Sequence, residues 1–356
     1  MTRFVQLHLL THYPPANLNR DDTGRPKTAL VGDAPRLRIS SQSQKRAWRT
    51  SDVFESSLAG HLGTRTKRLG ADIDEALRQK NVAEKAAKEW TQSIVRQFGA
   101  LETKEGKDLE IKQLAHFSPE ELEAIWQLVD ACAERNSAPT EEELKLLRKP
   151  RKAVDIAMFG RMLADSPAFN VDAAIQVSHA ITVHKATAED DYFSAVDDLN
   201  KGLKDLGAGH IGEHGYGAGL FYLYICIDHN LLLKNLGGDA GLTRKALEAF
   251  IHAITKVSPI GMQNSFASRA YAAYVLAEKG EQQPRSLAQA FLTPVRPSEE
   301  KGMFDRAVTA LTRRVENLDK VYGACADARY IMDAENGQGS LLELIDFVQK
   351  SQKPQE

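Results

Sequence analysis

A dense group of basic side chains lies between positions 20 and 49 of this 356-residue chain. The stretch holds eight basic residues against three acidic ones, in a chain whose net charge is −2. The basic residues are Arg20, Arg25, Lys27, Arg36, Arg38, Lys45, Arg46 and Arg49. Guanidinium and ammonium groups bind phosphate oxygens well. The pattern therefore indicates a local surface for phosphate groups on a chain that is nearly neutral as a whole.

The part of this stretch after residue 35 has the most informative spacing. Arg36 and Arg38 lie on one face of an extended piece, and Ser40 or Ser41 can cap a helix covering residues 42–54. Hydroxyls, amides and basic groups at a helix N-terminus all offer donors to phosphate oxygens. The candidate contacts are Arg38, Ser40, Gln42, Lys45, Arg46 and Arg49. The alternative is a solvated basic helix face with no ligand.

A second basic cluster lies further along the chain. It consists of Lys145, Arg148, Lys149, Arg151 and Lys152, and the segment Phe159-Gly160-Arg161-Met162 follows it closely. Contact with RNA is one interpretation of this cluster. The other is a helix C-terminus, where the helix dipole favours basic side chains.

Residues 187–215 form a polar, glycine-containing segment that is too long for a simple hairpin turn. We expect this segment to protrude as an arm. Near its start, Tyr192, Phe193 and Val196 lie between two pairs of aspartates. Such apolar side chains either pack into a small local cluster, which is the commoner arrangement, or act as wedges between stacked bases.

Catalytic and cofactor signatures are missing from the sequence. It contains no P-loop, no nucleophile elbow, no dinucleotide fingerprint and no cysteine–histidine ligand set. Asp21 and Asp22, with His12 nearby, could begin a metal or acid–base site, but nothing supplies the rest of it. We therefore expect no cofactor, no metal and no catalysis.

The composition is that of an ordinary soluble globular protein. The apolar fraction is 42% and the charged fraction 26%, and the three widely spaced cysteines indicate buried thiols. No apolar run approaches the roughly 20 residues that a membrane helix needs, and the N-terminus lacks the features of a signal peptide. We expect a cytoplasmic protein that makes no contact with a membrane.

The hydrophobic periodicity predicts an α+β fold. Alternating apolar residues indicate a half-buried strand over residues 5–12, which the two prolines at 14 and 15 should end before a long loop. Residues 58–170 have helical patterns throughout, with capping boxes at Ser118 and Thr140. Further strands are predicted at 177–184, 217–228 and 266–277, and further helices at 242–257, 302–314 and 340–348. With the helical block set aside, the order is strand, helix, strand, strand, helix, strand, which is the ferredoxin-like (RRM-like) plan.

Several motifs resemble those of a known family. They are Leu18-Asn19-Arg20-Asp21-Asp22, Arg38-Ile39-Ser40-Ser41-Gln42-Ser43 with Lys45-Arg46-Ala47, Val154-Asp155-Ile156-Ala157 with Gly160-Arg161-Met162, His179-Ala180-Ile181-Thr182, the segment from Phe193 to Leu199, and Gln263-Asn264-Ser265-Phe266-Ala267. In order along the chain, they are similar to motifs of the CasC family, the guide-RNA-coating backbone subunits of type I-E CRISPR Cascade complexes. The helical block and the part after residue 277 carry little of this resemblance.

The resemblance implies a right-hand shape. Residues 1–57 and 174–300 would form the ferredoxin-like palm, residues 58–173 a large inserted helical fingers domain, and residues 187–215 the protruding thumb arm. Residues 301–356 would add C-terminal helices and a polar tail. In this family several copies polymerise along the crRNA, contact other Cascade subunits, and present the guide to target DNA. The thumb of a neighbouring copy kinks the RNA and flips out a base.

The resemblance also implies a set of RNA-binding residues. Phosphates would be held by Arg20, Lys27, Arg38, Lys45, Arg46 and Arg49, and the matching motifs add Ser40, Gln42 and Arg161. Met162 would pack against the RNA near the kink, and the thumb wedge would consist of Tyr192, Phe193 and Val196. Sequence recognition would be left to base pairing, because the protein would read only shape and charge.

Two other functions fit the sequence less well. Related backbone subunits of type III complexes cut bound target RNA with a loop aspartate, and Asp21 or Asp22 lies in roughly the corresponding loop. A protein that uses the same scaffold for protein partners alone is the other alternative, since a fold does not fix a function.

Overall fold

The computed structural model describes residues 3–147, 152–195 and 210–350. The chain divides into two compact units. The first consists of Met1–Phe54, Gln176–Ile227 and Leu247–Glu356, and the second of Glu55–Ile175 and Asp228–Ala246. The insertion predicted at 58–173 lies within the second unit, which also includes Asp228–Ala246, a segment predicted to belong to the palm.

The helices and strands of the described residues are as follows. The strands are β1 (Phe4–Ala16), β2 (Thr28–Val31), β3 (Ala34–Ile39), β4 (Thr64–Thr66), β5 (Ala115–Phe117), β6 (Ile175–Val177), β7 (Ala180–Thr182), β8 (Glu189–Ala195), β9 (His210–Asp228), β10 (Tyr274–Gly280) and β11 (Ala328–Asp333). The α-helices are α1 (Ser41–Arg49), α2 (Asp52–Ser57), α3 (Leu69–Gln79), α4 (Glu84–Val95), α5 (Pro119–Arg135), α6 (Glu141–Leu146), α7 (Val154–Phe159), α8 (His229–Asn235), α9 (Ala240–Lys256), α10 (Gln263–Phe266), α11 (Met303–Tyr322) and α12 (Leu341–Gln349). Short 3-10 helices occupy Pro167–Phe169 and Ala288–Phe291.

A mixed α/β fold is confirmed, and the first unit contains a large sheet. The strands follow the order β11-β10-β1-β9-β7-β3-β2, with β6 and β8 also pairing with β9. The pairs β1–β10, β10–β11, β2–β3, β3–β7, β7–β9 and β8–β9 are antiparallel. One side of this sheet is covered by α11, because Leu311 and Val315 pack in one cluster with Leu10 and Tyr222.

The first strand differs from its prediction in two ways. It was predicted to be half-buried, but every residue from Val5 to Leu10 is buried, including His8. Both ring nitrogens of His8 have a hydrogen-bond partner there. Nδ1 lies 2.9 Å from the Tyr222 hydroxyl, and Nε2 lies 3.2 Å from a Glu278 carboxylate oxygen. The strand also continues through the two prolines to Ala16, beyond the end of its pairing with β10 at Leu10.

Other elements confirm or correct the predicted boundaries. The helix predicted at 242–257 is α9, and the one predicted at 340–348 is α12. The strand predicted at 266–277 begins only at Tyr274, because the chain first makes the short helix α10, flanked by Met262 and Ala267 in the left-handed conformation. The long early loop contains β2, and β11 was not predicted at all.

The second unit is mainly helical around its own apolar core. Ile73, Ile94, Phe98, Phe117 and Ile125 are all buried in one cluster. The capping boxes predicted at Ser118 and Thr140 are both formed, at the starts of α5 and α6. The prediction of helix throughout was wrong, because β4 and β5 pair as a small antiparallel sheet.

In the described parts of the chain, no helix combines the length and the apolar character that crossing a membrane would require.

Candidate nucleic-acid interface

The loop between β1 and β2 is held in shape by its own side chains. The Asp21 carboxylate accepts hydrogen bonds from the backbone N–H groups of Thr23 and Arg25, at 2.9 and 3.0 Å, and from the Thr23 hydroxyl at 2.8 Å. The Thr23 hydrogen bond is the largest of the effects that lower the pKa of Asp21. An isolated β-bridge joins Arg20 to Pro26. The loop is therefore an ordered hairpin-like turn that presents Arg20 to solvent.

Lys27 and Arg38 lie together at the base of this loop. The Arg38 N–H donates to the Lys27 carbonyl at 2.8 Å, and the Arg38 guanidinium contacts the Thr28 carbonyl and, at 3.1 Å, Nδ1 of His179. Burial, followed by the charges of Arg38 and Lys27, lowers the pKa of His179. A neutral imidazole can accept the Arg38 hydrogen bond, so His179 orients one end of that guanidinium without cancelling its charge.

The start of α1 is tied to the same loop through Asn19. The Asn19 side-chain oxygen accepts the Ser40 N–H at 2.8 Å, and its carbonyl accepts the Lys27 N–H at 2.9 Å. The Ser40 hydroxyl accepts the Ser43 N–H and so caps α1. These bonds place Arg20, Lys27 and the helix N-terminus around one asparagine.

One face of α1 carries the remaining predicted contacts of this region. Gln42, Lys45, Arg46 and Arg49 are spaced at i, i+3, i+4 and i+7, which places them on one side of the helix. Gln42 and Arg46 are exposed, whereas Lys45 and Arg49 are half-buried. The opposite side is anchored by Trp48, which is buried edge-on against Phe250 at a ring distance of 5.7 Å. We name the surface formed by Arg20, Lys27, Arg38, Gln42, Lys45, Arg46 and Arg49 the basic track.

The arm begins as a two-stranded ribbon of β8 and β9. Tyr192 pairs with Glu213 and Phe193 with Gly212, so the two aromatic rings point to opposite faces of the ribbon. Phe193 stacks on His214 with ring centroids 4.6 Å apart. A side chain at position 212 would overlap the Phe193 ring, which explains the glycine there.

The other face of the ribbon is more open. Tyr192 is 68% exposed and Ile211 56% exposed, and they are diagonal neighbours across the two strands. The arm is fixed to the early loop at its base, because Arg25 and Asp190 form an ion pair at 2.6 Å and the Asn17 amide donates to the Gly215 carbonyl at 2.8 Å.

Comparisons with known proteins agree with this geometry. The family model for the CT1975-like protein family matches residues 5–351. The chain belongs to the CT1975-like protein family. A chain from a CRISPR RNA-guided surveillance complex, pre-nicking, is similar to it with 30% identity and a TM-score of 0.83, covering 97% of this chain and 99% of that one. A chain from a second CRISPR RNA-guided surveillance complex has 25% identity and a TM-score of 0.73, with the same coverage. No curated protein matches.

These matches confirm the predicted kinship with Cascade backbone subunits. Within this CT1975-like chain, the structure gives the predicted site residues of the described ranges a definite environment. Arg20, Lys27, Arg38 and the face of α1 come together in the first unit. Met162, in the second unit, is 79% exposed. Val196 lies outside the described residues, as do residues 148–151 of the second basic cluster.

Two of the predicted contacts need correction. Arg161 is buried, and its guanidinium forms a two-pronged ion pair with Glu121 at 2.7 and 2.9 Å. It also donates to the carbonyls of His116 and Phe169, so its donors are occupied inside the second unit. The Ser40 hydroxyl is likewise buried and used as a helix cap. Neither side chain is available to a phosphate.

Arg36, which the sequence placed beside Arg38, is also a core residue. Its guanidinium is fully buried and donates to the carbonyls of Thr182 and Phe291, at 2.9 and 2.8 Å. Conversely, sequence reasoning did not assign a site role to Asn19, His179 or Ile211. His179 and Asn19 stood inside the motifs that carry the family resemblance, which was the only signal that could have drawn attention to them.

Proposed function

We propose that this CT1975-like protein is the non-catalytic backbone subunit of a type I-E CRISPR surveillance complex (Cascade). In this proposal it polymerises along crRNA, grips the sugar–phosphate chain and presents the guide for pairing with target DNA in antiviral defence. Its partners are crRNA, further copies of itself, the other Cascade subunits and, through the complex, target DNA. Membership in a surveillance complex is supported by the family and by both structural matches.

The strand order supports a palm of the ferredoxin-like kind. Taken in chain order, β1, β7, β9 and β10 are the first to fourth strands of the predicted plan, and in the sheet they stand fourth, first, third, second. This is the arrangement of a ferredoxin-like sheet. In the proposal the second unit supplies the fingers, and the ribbon of β8 and β9 begins the thumb, with Tyr192 on its open face.

The observation that carries the RNA-gripping role is the assembly of the basic track. Asn19 joins three separate pieces of sequence so that Arg20, Lys27, Arg38 and the N-terminus of α1 lie together. Their donors suit anionic oxygens, and six of the seven residues of the track are cations. Binding should therefore depend on the backbone of the RNA and hardly on its sequence.

The test uses the double variant Lys27→Ala/Arg38→Ala and two guide-length RNAs of unrelated sequence. Fluorescence anisotropy over a range of salt concentrations should show equal weakening for both RNAs. The slope of log K against log[salt] should fall by roughly 1.4, since each lost phosphate contact on a single strand contributes about 0.7. Lys320→Ala, an exposed cation on α11 outside the track, is the matched control and should behave like the wild type. Unchanged binding, or a loss for one RNA only, would refute a backbone grip.

A further inference from the structure

A second basic surface lies in the first unit, away from the basic track. It is a groove with a cavity volume of about 1120 Å³, between the tip of the β2–β3 hairpin, the segment 292–297 and α11. Its wall carries the cations Lys185, Arg296, Arg306 and Arg313 and a single acidic residue, Asp33, among the described residues. A neighbouring cavity of about 470 Å³ shares Arg306 and Arg313, so the basic surface continues along α11.

The four cations of the groove are not engaged elsewhere. Lys185, Arg296, Arg306 and Arg313 are all exposed, and their side chains form no ion pair or hydrogen bond with any other described residue. This distinguishes them from Arg329 and Arg285 of the same unit, which are held in ion pairs with Glu278. Four unpaired basic side chains around one concavity concentrate positive potential there.

Arg36 adds to this potential from inside the protein. It is fully buried, and its Nε has no hydrogen-bond partner among the described residues. Its guanidinium donates to two neutral carbonyls, one of them that of Phe291 beside the groove wall, and no carboxylate of the described residues contacts it. Asp33 acts on it only at a distance. The groove is therefore more positive than its exposed residues alone would make it.

One wall of the groove is fixed to the sheet, and one face of α11 places two arginines along the groove. Its outer wall is fixed to the sheet by the Val295 N–H, which donates to the Val183 carbonyl at 2.9 Å. Arg306 and Arg313 lie seven residues apart on one face of α11, a rise of roughly 10.5 Å. Guanidinium groups on two long, flexible side chains along one helix face can contact two phosphates of the same strand.

The groove is distinct from the basic track. Ala34, in the groove wall, and Arg38, in the track, stand at opposite ends of β3, four residues or roughly 13 Å apart. No Phe, Tyr or Trp lines the groove among the described residues, so it offers no platform for stacking bases. Its ligand should be recognised by charge and spacing.

We propose that this groove binds the phosphodiester backbone of a nucleic-acid strand other than the guide RNA. The proposal goes beyond the gripping of crRNA, because it adds a second site to the same subunit. The chemistry is shared by single-stranded and duplex DNA, and the experiment separates these two sources. An acidic protein segment is the competing ligand class, and it is less favoured because the subunit is proposed to work in a complex that pairs its guide RNA with a second nucleic-acid strand.

The test uses the full-length chain, first saturated with unlabelled guide-length RNA. Fluorescein-labelled single-stranded DNA and duplex DNA of unrelated sequence are then titrated separately and followed by anisotropy. The variant Arg306→Ala/Arg313→Ala should lower the salt slope for single-stranded DNA by roughly 1.4, or for duplex DNA by roughly 1.8, whichever the wild type binds. Its binding of guide RNA should stay unchanged, which also shows that the variant is folded.

Three controls make the outcome decisive. Lys320→Ala, on the same helix but outside the groove, should bind DNA like the wild type, and Arg306→Lys/Arg313→Lys should retain most of the salt slope because it keeps both charges. Lys27→Ala/Arg38→Ala should lose RNA affinity and keep the DNA site. The proposal is overturned if the RNA-saturated wild type binds neither DNA, if the double alanine variant binds DNA normally, or if that variant loses RNA binding to the same extent. Binding of labelled polyglutamate in place of DNA would also overturn it.

Discussion

Two short segments, β3 in the first unit and Arg161-Met162 in the second, each place a buried side chain beside an exposed one. In β3, Arg36 is fully buried and Arg38, two residues later, is half-exposed. In the other segment Arg161 is 6% exposed and Met162 79%. The family resemblance implied an RNA contact for both Arg161 and Met162. The difference shows that a basic motif mixes residues that build the protein with residues that face a ligand.

The two buried arginines also differ from each other. The charge of Arg161 is matched by both oxygens of Glu121, so this pair is locally neutral. Among the described residues, the guanidinium of Arg36 contacts two carbonyls and no carboxylate. Burial lowers its pKa, and the more distant Asp33 raises it. We infer that Arg161 acts on the stability of the second unit alone, whereas Arg36 affects both stability and the surface potential of the first unit.

The largest effect is expected from breaking the Arg161–Glu121 pair. Arg161→Met removes one partner and leaves the Glu121 carboxylate buried without its counter-charge, which should destabilise the second unit by about 3–5 kcal/mol. Hydrogen exchange followed by mass spectrometry can localise the loss to peptides of α5 and β5. Met162→Ala is the adjacent control and should change stability by no more than about 0.5 kcal/mol, because its side chain is exposed. Equal effects of the two substitutions would contradict the division of roles.

A smaller effect is expected within β3. Arg36→Ala leaves the carbonyls of Thr182 and Phe291 without a donor, and the free energy of unfolding should fall by roughly 1–3 kcal/mol in urea titrations. Arg38→Ala should leave stability almost unchanged and weaken binding of guide RNA. If Arg36→Ala weakened RNA binding at full stability, Arg36 would have to be counted among the ligand-facing residues after all.

The elements that could be predicted are those whose buried positions follow a regular apolar pattern in the local sequence. The helix α9 was found within two residues, since its apolar positions recur at the helical period. The helix predicted at 42–54 is two helices, because Thr50 and Ser51 bond back to carbonyls of α1 and Ser51 then caps the start of α2. The strand β11 was missed because its residues, half-buried at most positions, do not alternate.

The site was predicted only in part for a related reason. The partners that decide the role of each arginine lie far away in sequence: Glu121 is 40 residues before Arg161, and Phe291 is 255 residues after Arg36. No local pattern contains such information. The basic track was predictable in outline because its members are neighbours in sequence, and Asn19, which assembles it, does so through bonds that only the folded chain reveals.

Glu278 is a third buried charged residue, and it should make the stability of the protein depend on pH. Burial alone would raise the pKa of Glu278, but hydrogen bonds from His8, Arg285 and Arg329 outweigh it and lower the pKa below the usual 4.5. A lowered folded-state pKa stabilises the protein above pH 4.5, and this contribution is lost as the pH falls further. Each pH unit below 4.5 should then lower the free energy of unfolding by up to about 1.4 kcal/mol through this group.

Urea titrations at several pH values should show this dependence in the wild type and in the exposed-site control Glu316→Gln, and a weaker one in Glu278→Gln. A Glu278→Gln variant with the full dependence would mean that other carboxylates cause it.

Asp21 and Asp22, in the early loop, are another pair of neighbours with different roles. Their substitution should have the smallest effect of those considered, a slight change in RNA binding. Asp21 is occupied by three hydrogen bonds that shape the turn, whereas the Asp22 side chain makes none with the described residues. Asp21→Ala should therefore weaken RNA binding slightly, because the loop presents Arg20, and Asp22→Ala should leave it unchanged. As the subunit is proposed to be non-catalytic, complementary RNA incubated with the assembled complex and Mg²⁺ should stay intact on denaturing gels for the wild type and both variants. Regularly spaced cuts that disappear in Asp22→Ala would instead assign the exposed aspartate to RNA cleavage and the neighbouring Asp21 to positioning it.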